Sequence, residues 1–395
     1  MNWLVDLFGS TSVAGSVLIL GLVAALGLIL GAVQVRGIKL GIAGVLFAGL
    51  LFGHLGATLA PPVLEFARDL GLILFVYAVG IEVGPGFLPS LRQHGLWLNL
   101  TAAAVVAAGA VLAMMTSRLL GIEMPVAAGM FSGATTNTPS LGAAQAALHQ
   151  LPSYTDSLGE LPGLGYAVTY PFGVLGIIFS MIAVRGLFPK AAAEPAGDRT
   201  GPATADPPAQ PERLDVLPIF LGISLGVLLG SLPVSVSGLP VPLRLGLAGG
   251  PLIVAIVLGA VGRIGPLSWR LPAAAADLMR EFGIVLFLAC VGIRSGGGFV
   301  RTVTQGDGLH WMALGAVITL APLLIAVVVS RLLIRTSYAS ACGLLAGSMT
   351  NPASLAFAIS TTHSEETTLA YATVYPLTMV LRVIAAQLIV LLLAR

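Results

Sequence analysis

Two stretches of the chain repeat each other without a gap. Residues 65–87 align with residues 277–299 at a constant offset of 212, and ten of the 23 paired positions are identical. Further along, residues 129–141 match residues 343–355. Both pairs include glycine-rich or polar breaks within apolar sequence. Duplicated units with paired interrupted helices are the architecture of many secondary transporters, in which the substrate is bound where the breaks meet.

The composition indicates a chain surrounded by lipid. Charged residues make up 9% of the sequence, whereas a soluble domain has about 25%. The net charge of +2 is too small to indicate nucleic acid as a partner. Cys290 and Cys342 lie far apart in apolar segments, so we expect buried thiols. The first residues lack Lys and Arg, so the first apolar run is predicted to be a retained span and not a cleaved signal peptide.

The apolar runs predict five membrane spans in each half, because about 20 residues cross a bilayer core. Between the fourth and fifth span of each half, a shorter interrupted stretch at 123–148 or 338–361 predicts a re-entrant hairpin. The predicted fold is therefore an all-α polytopic membrane protein, in which each repeat has five spans and one hairpin, arranged as in an elevator-like transporter. The predicted spans cover roughly 13–33, 40–60, 63–83, 96–117, 163–184, 214–232, 245–261, 273–293, 311–334 and 368–393.

The basic residues favour one orientation in the membrane. With the N-terminus outside, the inner loops contain 11 of the 19 Lys and Arg residues, as the positive-inside rule requires. Because five is odd, the second half then enters from the opposite face and the repeats are inverted. If the interrupted stretches crossed fully, the repeats would instead be parallel. Residues 189–213, rich in Pro and Ala, predict a flexible cytoplasmic linker between the repeats 1–188 and 214–395.

Each interrupted stretch contains the start of a half-helix. Asn and Thr are favoured N-cap residues and Pro is favoured in the first helical turn, so helices are predicted to start at Thr138-Pro139 and Asn351-Pro352. Two converging helix starts would attract an anionic group through free N–H groups and partial positive charge. The alternative is a tight polar contact between helices. The candidate substrate-binding residues are Gly133, Ala134, Thr135, Thr136, Asn137, Thr138, Pro139, Ser140, Ser348, Thr350, Asn351, Pro352 and Ser354.

The third span of each half ends in a glycine-rich segment. Glycine allows unusual backbone conformations and close helix approach, so these segments suit a hinge or a tight span end beside the hairpin. The candidate hinge residues are Gly80, Gly84, Gly86, Gly292, Gly296 and Gly298.

Charged residues also occupy matching positions in the two repeats. Glu82 and Arg294 are equivalent and opposite in charge. They either pair as a gate or lie in loops at the membrane surface. Arg68 and Arg280 are each followed directly by an acidic residue, which predicts structural ion pairs.

Arg382 stands in the middle of the last apolar run, where a charge costs about 2.5–3.5 kcal/mol. It therefore needs a partner, a cavity or a ligand. One hypothesis is that its guanidinium binds a substrate carboxylate through two parallel hydrogen bonds. The other is a buried ion pair with Glu82, Asp69 or Glu281.

The sequence favours transport over catalysis. The histidines share no metal-ligand spacing, and no catalytic Ser/His/Asp group is found, so we expect neither a cofactor, a metal nor an enzyme. The leading hypothesis is alternating access for small carboxylates such as amino acids or dicarboxylates. The alternative is a carrier coupled to Na⁺ or H⁺, and a channel or receptor is a third. Coupling would use membrane carboxylates, of which the chain offers Glu65, Asp69, Glu82, Asp277 and Glu281.

At these motifs the chain resembles the aspartate–alanine exchanger family. The likeness rests on the G-A-T-x-N-T-P segment at 133–139, its partner around Thr350-Asn351-Pro352, and the V-G-I-x-x-G-x-G-F pattern at 79–87 and 291–299. The resemblance implies a bacterial inner-membrane carrier of amino acids or small carboxylates, working by exchange and as a homodimer. Many relatives carry central TrkA-C-like regulatory domains, where this chain has only residues 189–213.

Overall fold

The protein is described by a computed structural model over residues 12–35, 38–39, 41–92, 95–185, 215–233, 242, 244–334 and 336–393. The predicted linker 189–213 lies outside the described residues. Nearly everything that is described is helical, as the all-α prediction requires.

The described part of the first repeat forms seven helices and one small ribbon. The ribbon pairs two antiparallel strands of two residues each, β1 (Gln34–Val35) and β2 (Ile38–Lys39). The helices are α1 (Val13–Ala32), α2 (Ala43–His54), α3 (Pro61–Arg92), α4 (Gly95–Leu120), α5 (Met124–Ala134), α6 (Thr138–Leu148) and α7 (Asp156–Val184).

The second repeat follows the same order of helices. Its ribbon pairs β3 (Arg263–Ile264) with β4 (Leu267–Ser268) and lies between the second and third helix, whereas the ribbon of the first repeat lies between the first and second helix. A π-helical turn, Ser330–Ile334, extends the fourth helix. The helices are α8 (Val216–Ser231), α9 (Gly246–Val261), α10 (Ala273–Gln305), α11 (Gly308–Val329), α12 (Tyr338–Ser348), α13 (Pro352–Thr362) and α14 (Glu365–Leu393).

The ten predicted spans correspond to ten of these helices. Seven are long and apolar enough to cross a membrane, and α2, α8 and α9 are shorter apolar helices. The prediction of a span over 40–60 was too long, because α2 has 12 residues. At about 1.5 Å per residue it is roughly 18 Å long, short of a hydrocarbon core about 30 Å thick. Both interrupted stretches form two half-helices, as predicted.

The two repeats exchange equivalent contacts. The third helix of each repeat packs on the second helix of the other, α3 on α9 and α10 on α2. The helices α3 and α10 also pack directly on each other. Because these contacts have their counterparts, a pseudo-twofold axis relates the repeats. Glu82, in the second half of α3, pairs with Arg280, in the first third of α10. The two equivalent helices therefore run in opposite directions, which makes the repeats inverted.

The glycine-rich segments do not end the third spans. Both α3 and α10 continue through them without interruption, to Arg92 and Gln305. The physical reason is that most of these glycines admit a neighbouring helix. A Cβ on Gly84 would lie 2.5 Å from Ile256 O, and one on Gly292 would lie 2.5 Å from Leu46 O. The prediction of a span end is wrong, the predicted close approach is confirmed, and the hinge role stays a prediction.

Gly80 and Gly296 have backbone neighbours of the same kind. A Cβ on Gly298 would reach only the Leu164 side chain, at 3.3 Å, and around Gly86 nothing lies within 4 Å. The six candidate hinge glycines are therefore not equivalent, and Gly86 offers a control position within α3.

Candidate functional site

The hairpin tips contain the helix starts predicted from sequence. Asn137 is the N-cap of α6, and its Oδ1 accepts a hydrogen bond from Ser140 N at 2.8 Å. Asn351 is the N-cap of α13, and its Oδ1 accepts from Ser354 N at 2.7 Å. A proline lies in the first turn of each helix. These local features agree with the known preferences for caps and first turns.

The two tips contact each other through a reciprocal pair of hydrogen bonds. Asn137 Nδ2 donates to Thr350 Oγ1 at 2.9 Å, and Asn351 Nδ2 donates to Thr136 Oγ1 at 3.1 Å. Thr136 Oγ1 in turn donates to Met349 O at 2.9 Å. The same two residue types exchange the same bond, as expected across a twofold axis. The structure therefore brings the two predicted motifs together.

Both tips contain a residue in an unfavourable backbone conformation. Thr136 and Thr350 each have a φ of 52°. A β-branched residue is rarely found in this left-handed region, and such conformations cost of order 1–3 kcal/mol. In each case the threonine hydroxyl takes part in the contact between tips, which helps to hold the turn.

The tips leave few free backbone donors. Pro352 has no N–H, and the caps use the amides of Ser140 and Ser354. None of the described backbone–backbone hydrogen bonds outside the helices uses the Thr138 or Ala353 amide. Each half-helix therefore offers about one open N–H in its first turn, and the partial charge of the helix start remains.

The equivalent half-helices differ in burial. Ten of the 11 residues of α6 are buried, and they pack against α9 and α14. In α13 only Ser354 and Ala358 are buried, while Pro352 and Ala353 at its start are exposed. The start of α13 is therefore exposed on one side in the isolated chain, whereas the start of α6 is enclosed by neighbouring helices.

Arg382 reaches the same place from α14 and is fully buried. Its Nε donates to Ser348 O at 3.0 Å, and Nη2 donates to the same oxygen and to Met349 Sδ. The Phe131 ring lies 5.7 Å from the guanidinium carbon. Among the described residues, Nη1 has no hydrogen-bond partner. The guanidinium thus caps the end of α12 and keeps one donor free.

The alternative of a buried ion pair for Arg382 is wrong, because none of the described salt bridges includes Arg382 and two of the three proposed carboxylates pair elsewhere. Asp69 Oδ1 lies 2.9 Å from Arg68, as predicted for that pair. Glu82 pairs with Arg280 at 2.6 Å. The buried charge of Arg382 therefore has no compensating carboxylate among the described salt bridges.

The gate between Glu82 and Arg294 is also wrong. Arg294 Nη2 contacts Tyr154 Oη at 3.0 Å and Asp156 Oδ1 at 3.4 Å, near the start of α7. Glu82 lies near the other end of the molecule, on Arg280. The pairing predicted for Arg280 is corrected as well, since its partners are Glu82 and Asp277 and not the adjacent acid.

The half-helices that lead into the two tips, α5 and α12, end at backbone oxygens that accept hydrogen bonds from different kinds of group. Ala134 and Ser348 are equivalent in the repeats. Ala134 O accepts from Thr319 Oγ1 of α11 at 2.7 Å, whereas Ser348 O accepts from Arg382. One tip therefore has a neutral donor and the other a cation.

The remaining predicted residues support the tips. Gly133 lies against α7, where a Cβ would be 2.4 Å from Tyr166 O. Ser140 Oγ donates to Asn137 O. Ser354 Oγ is buried and has no partner among the described residues, which leaves a second free polar group at the charged tip.

Sequence reasoning missed several residues that line the tips. Tyr166 Oη lies 3.0 Å from Thr138 Oγ1, and Met379 Sδ accepts from Asn137 Nδ2 at 3.3 Å. Thr319 was missed as well. The signal that the sequence offered for Tyr166 and Thr319 was a polar residue within a long apolar run. The same signal singled out Arg382.

Two cavities flank the α3–α10 crossing. The first, of about 310 Å³, lies beside α6 and is lined by Glu65, Arg68 and Asp69 near the start of α3. The second, of about 660 Å³, is lined by Glu82 near the other end of α3 and by Asp277. Within the described residues, no group of three His, Cys, Asp or Glu side chains could hold a metal ion.

These features define a class of protein: a polytopic membrane protein with two inverted repeats and two re-entrant hairpins whose tips meet inside the fold. A family profile described as a predicted permease membrane region matches twice, at residues 19–186 and 218–391. The chain therefore belongs to the aspartate–alanine exchanger family of membrane permeases.

A curated relative supports the same class. A protein of Klebsiella pneumoniae subsp. pneumoniae, described as a candidate transport protein, is 35% identical over 547 aligned residues. The alignment covers 96% of this chain and 98% of the relative. Because the alignment is longer than the 395 residues of this chain, the relative contains residues that have no counterpart here. The two comparisons agree in class, since one gives a permease membrane region and the other a transport protein.

Proposed function

We propose that the protein is a secondary active transporter that exchanges small carboxylates, such as amino acids or dicarboxylates, by alternating access. The observation that carries this proposal is the uncompensated guanidinium of Arg382 at the meeting point of two half-helix starts. A buried charge without a partner is costly, and a carboxylate ligand would neutralise it. The free Nη1 and the unpartnered Ser354 Oγ are donors suited to that ligand.

The unequal burial of α6 and α13 supports alternating access. Inverted repeats can adopt each other's conformation, which opens the site to the opposite face. Here α6 is enclosed and α13 is open. We infer that the opposite state encloses α13 and opens α6. An elevator-like motion would then carry the two hairpins as one unit against the remaining helices.

Coupling to Na⁺ or H⁺ is less well supported. None of the hydrogen bonds at the tips, within the described residues, involves a carboxylate. Ion pairs engage Asp69, Glu82 and Asp277 away from the tips. The family resemblance supports a bacterial inner membrane and a homodimer, and the distribution of basic residues supports a cytoplasmic linker with the N-terminus outside.

Counterflow tests the proposal. Proteoliposomes preloaded with unlabelled L-aspartate, L-alanine or succinate should accumulate the labelled form of at least one of them. Asn351→Ala should abolish the uptake because it removes both the cap of α13 and the bond to Thr136. Thr373→Ala is the matched control: this exposed hydroxyl lies on α14 and bonds only its own helix. A folded protein that supports no counterflow with any of these compounds would refute the proposal.

A further inference from the structure

A second polar site lies outside the hairpin tips, in the cavity of about 310 Å³ beside α6. We call this cavity the α6 cavity. Its lining comes from the first turns of α3, the second half of α6, and the ends of α8 and α9 that face each other. Gln145 lines it and lies eight residues beyond Asn137, about 12 Å along the helix. The α6 cavity is therefore distinct from the tips.

The charged groups of the α6 cavity balance each other. Its lining contains two carboxylates, Glu65 and Asp69, and two guanidinium groups, Arg68 and Arg244. Arg68 is buried and bonds Asp69 through Nε and Nη2. Its Nη1 takes part in none of the described salt bridges. A cavity with equal numbers of both signs suits a ligand that also carries both.

Gln145 supplies an unfilled hydrogen-bond acceptor. Its side chain is 4% exposed, and among the described residues its Oε1 has no donor. A buried polar atom without a partner is unfavourable, and most such atoms in proteins are satisfied by protein, water or ligand. Because Gln145 lines the α6 cavity, a donor on a ligand would satisfy this oxygen.

We propose that the α6 cavity binds a zwitterionic α-amino acid. The carboxylate contacts Arg68 and Arg244, and the ammonium group contacts Gln145 Oε1 and Glu65. The volume lies at the lower end of the range for small-molecule sites. The cavity adjoins the half-helix that forms the first tip, so it serves as a loading site for the substrate of the proposed exchange. Only this loading role rests on the proposed function, since binding itself does not.

Cysteine protection tests the site in the full-length protein in nanodiscs, where both faces are accessible. Ser231 lines the α6 cavity, and the native Cys290 and Cys342 are buried. L-alanine should slow the modification of Ser231→Cys by a charged methanethiosulfonate reagent at least threefold. Succinate, which lacks an ammonium group, should not. The exposed Ser153→Cys is the control and should react at the same rate with and without L-alanine.

Two further variants separate this site from the tips. Gln145→Leu should remove the protection of Ser231→Cys, whereas Asn137→Asp, which alters the first tip, should leave it intact. Gln150→Cys, also in the lining, replaces Ser231→Cys if that variant misfolds. Absence of protection by L-alanine, its persistence in Gln145→Leu or its loss in Asn137→Asp would overturn the inference. Counterflow measured on the same protein separates such a result from failure of the proposed function.

Discussion

Gly71 and Gly283, equivalent residues of the two repeats, lie against each other's backbone where α3 and α10 cross. A Cβ on Gly71 would lie 2.7 Å from Gly283 O, and a Cβ on Gly283 would lie 2.6 Å from Gly71 O. Equivalent residues can meet in this way only beside the axis that relates them. The pseudo-twofold axis that relates the two repeats therefore passes close to this crossing.

Alanine at this crossing should destabilise the protein. Gly71→Ala and Gly283→Ala each place a methyl group on a backbone oxygen, and overpacking of this kind costs about 1–3 kcal/mol. We expect a lower apparent melting temperature in detergent for both. Gly86→Ala is the control in the same helix, because nothing lies within 4 Å of its Cβ position. Equal melting temperatures for all three variants would contradict the close crossing.

Asn137→Asp should separate helix capping from contact between the tips. The carboxylate still accepts from Ser140 N, so α6 keeps its cap. It cannot donate to Thr350 Oγ1, and its negative charge repels an anionic substrate. Because Asn137 is buried, the carboxylate also carries a desolvation cost, so we expect a lower melting temperature with a cooperative transition retained, and a loss of counterflow of at least tenfold. Asn351→Asp should behave alike, and parental counterflow in both would argue against a site at the tips.

Arg382→Met should lose transport without a large loss of stability. Removing the buried charge relieves about 2.5–3.5 kcal/mol, while Ser348 O loses its donors at a cost of about 1–3 kcal/mol. These effects nearly offset each other. Arg382→Lys should also fail in counterflow. The planar guanidinium can bond Ser348 O and a carboxylate at the same time, and a lysine ammonium lacks this arrangement of donors. A structural role alone would give an unfolded Met variant and an active Lys variant.

The unequal burial of the half-helices predicts unequal reactivity at matched positions. Ala353 is exposed at the start of α13, and its repeat counterpart Pro139 is buried. We expect Ala353→Cys to react with a charged thiol reagent at least tenfold faster than Pro139→Cys. A transported substrate should slow the reaction at Ala353→Cys. Equal rates for the two variants would mean that both tips are enclosed or open together.

The stability of the protein should depend on His149 at mildly acidic pH. Burial, followed by Arg68 and Arg294, lowers the pKa of His149 below its usual 6.5, although Glu65 and Asp69 oppose this effect. The unfolded chain therefore binds a proton that the folded chain does not. The stabilisation from neutral His149 is complete above about pH 6.5 and is lost as the pH falls through the lowered pKa.

The contribution of His149 can be measured from the melting temperature recorded at pH values between 7.5 and 5. The parent should lose more stability over this range than His149→Gln, which has no proton to bind. The exposed His54→Gln is the control and should follow the parent. A His149→Gln profile that coincides with the parent profile would show that this side chain does not contribute.

Local features of the fold were predictable because their causes are local. The caps of α6 and α13 depend on residues within three positions of Asn137 and Asn351, so sequence alone located both helix starts. The bond from Asn137 to Thr350 spans 213 residues. The duplication could suggest that these tips meet, but only the tertiary structure gives the partner atoms.

Other features were beyond the sequence for identifiable reasons. A helix crossing and a hinge both need glycine, so Gly84 and Gly292 could not distinguish the two. The acceptor of Arg382 is the backbone oxygen of Ser348, and a backbone oxygen leaves no mark in a sequence. The α6 cavity depends on how α3, α6 and α9 pack, which composition does not encode.

The difference between Thr319 and Arg382 gives the paired tips a polarity. The backbones of the two tips are equivalent. Among the described residues, however, a cation bonds to only one of them. If the tips bind a molecule with a single acidic group, as we propose, that group is directed to the tip next to Arg382, whichever side of the bilayer the molecule came from. In the exchange that we propose, the duplication would supply two states related by the pseudo-twofold axis, and Arg382, which has no counterpart in the first repeat, would hold the substrate in the same orientation in both.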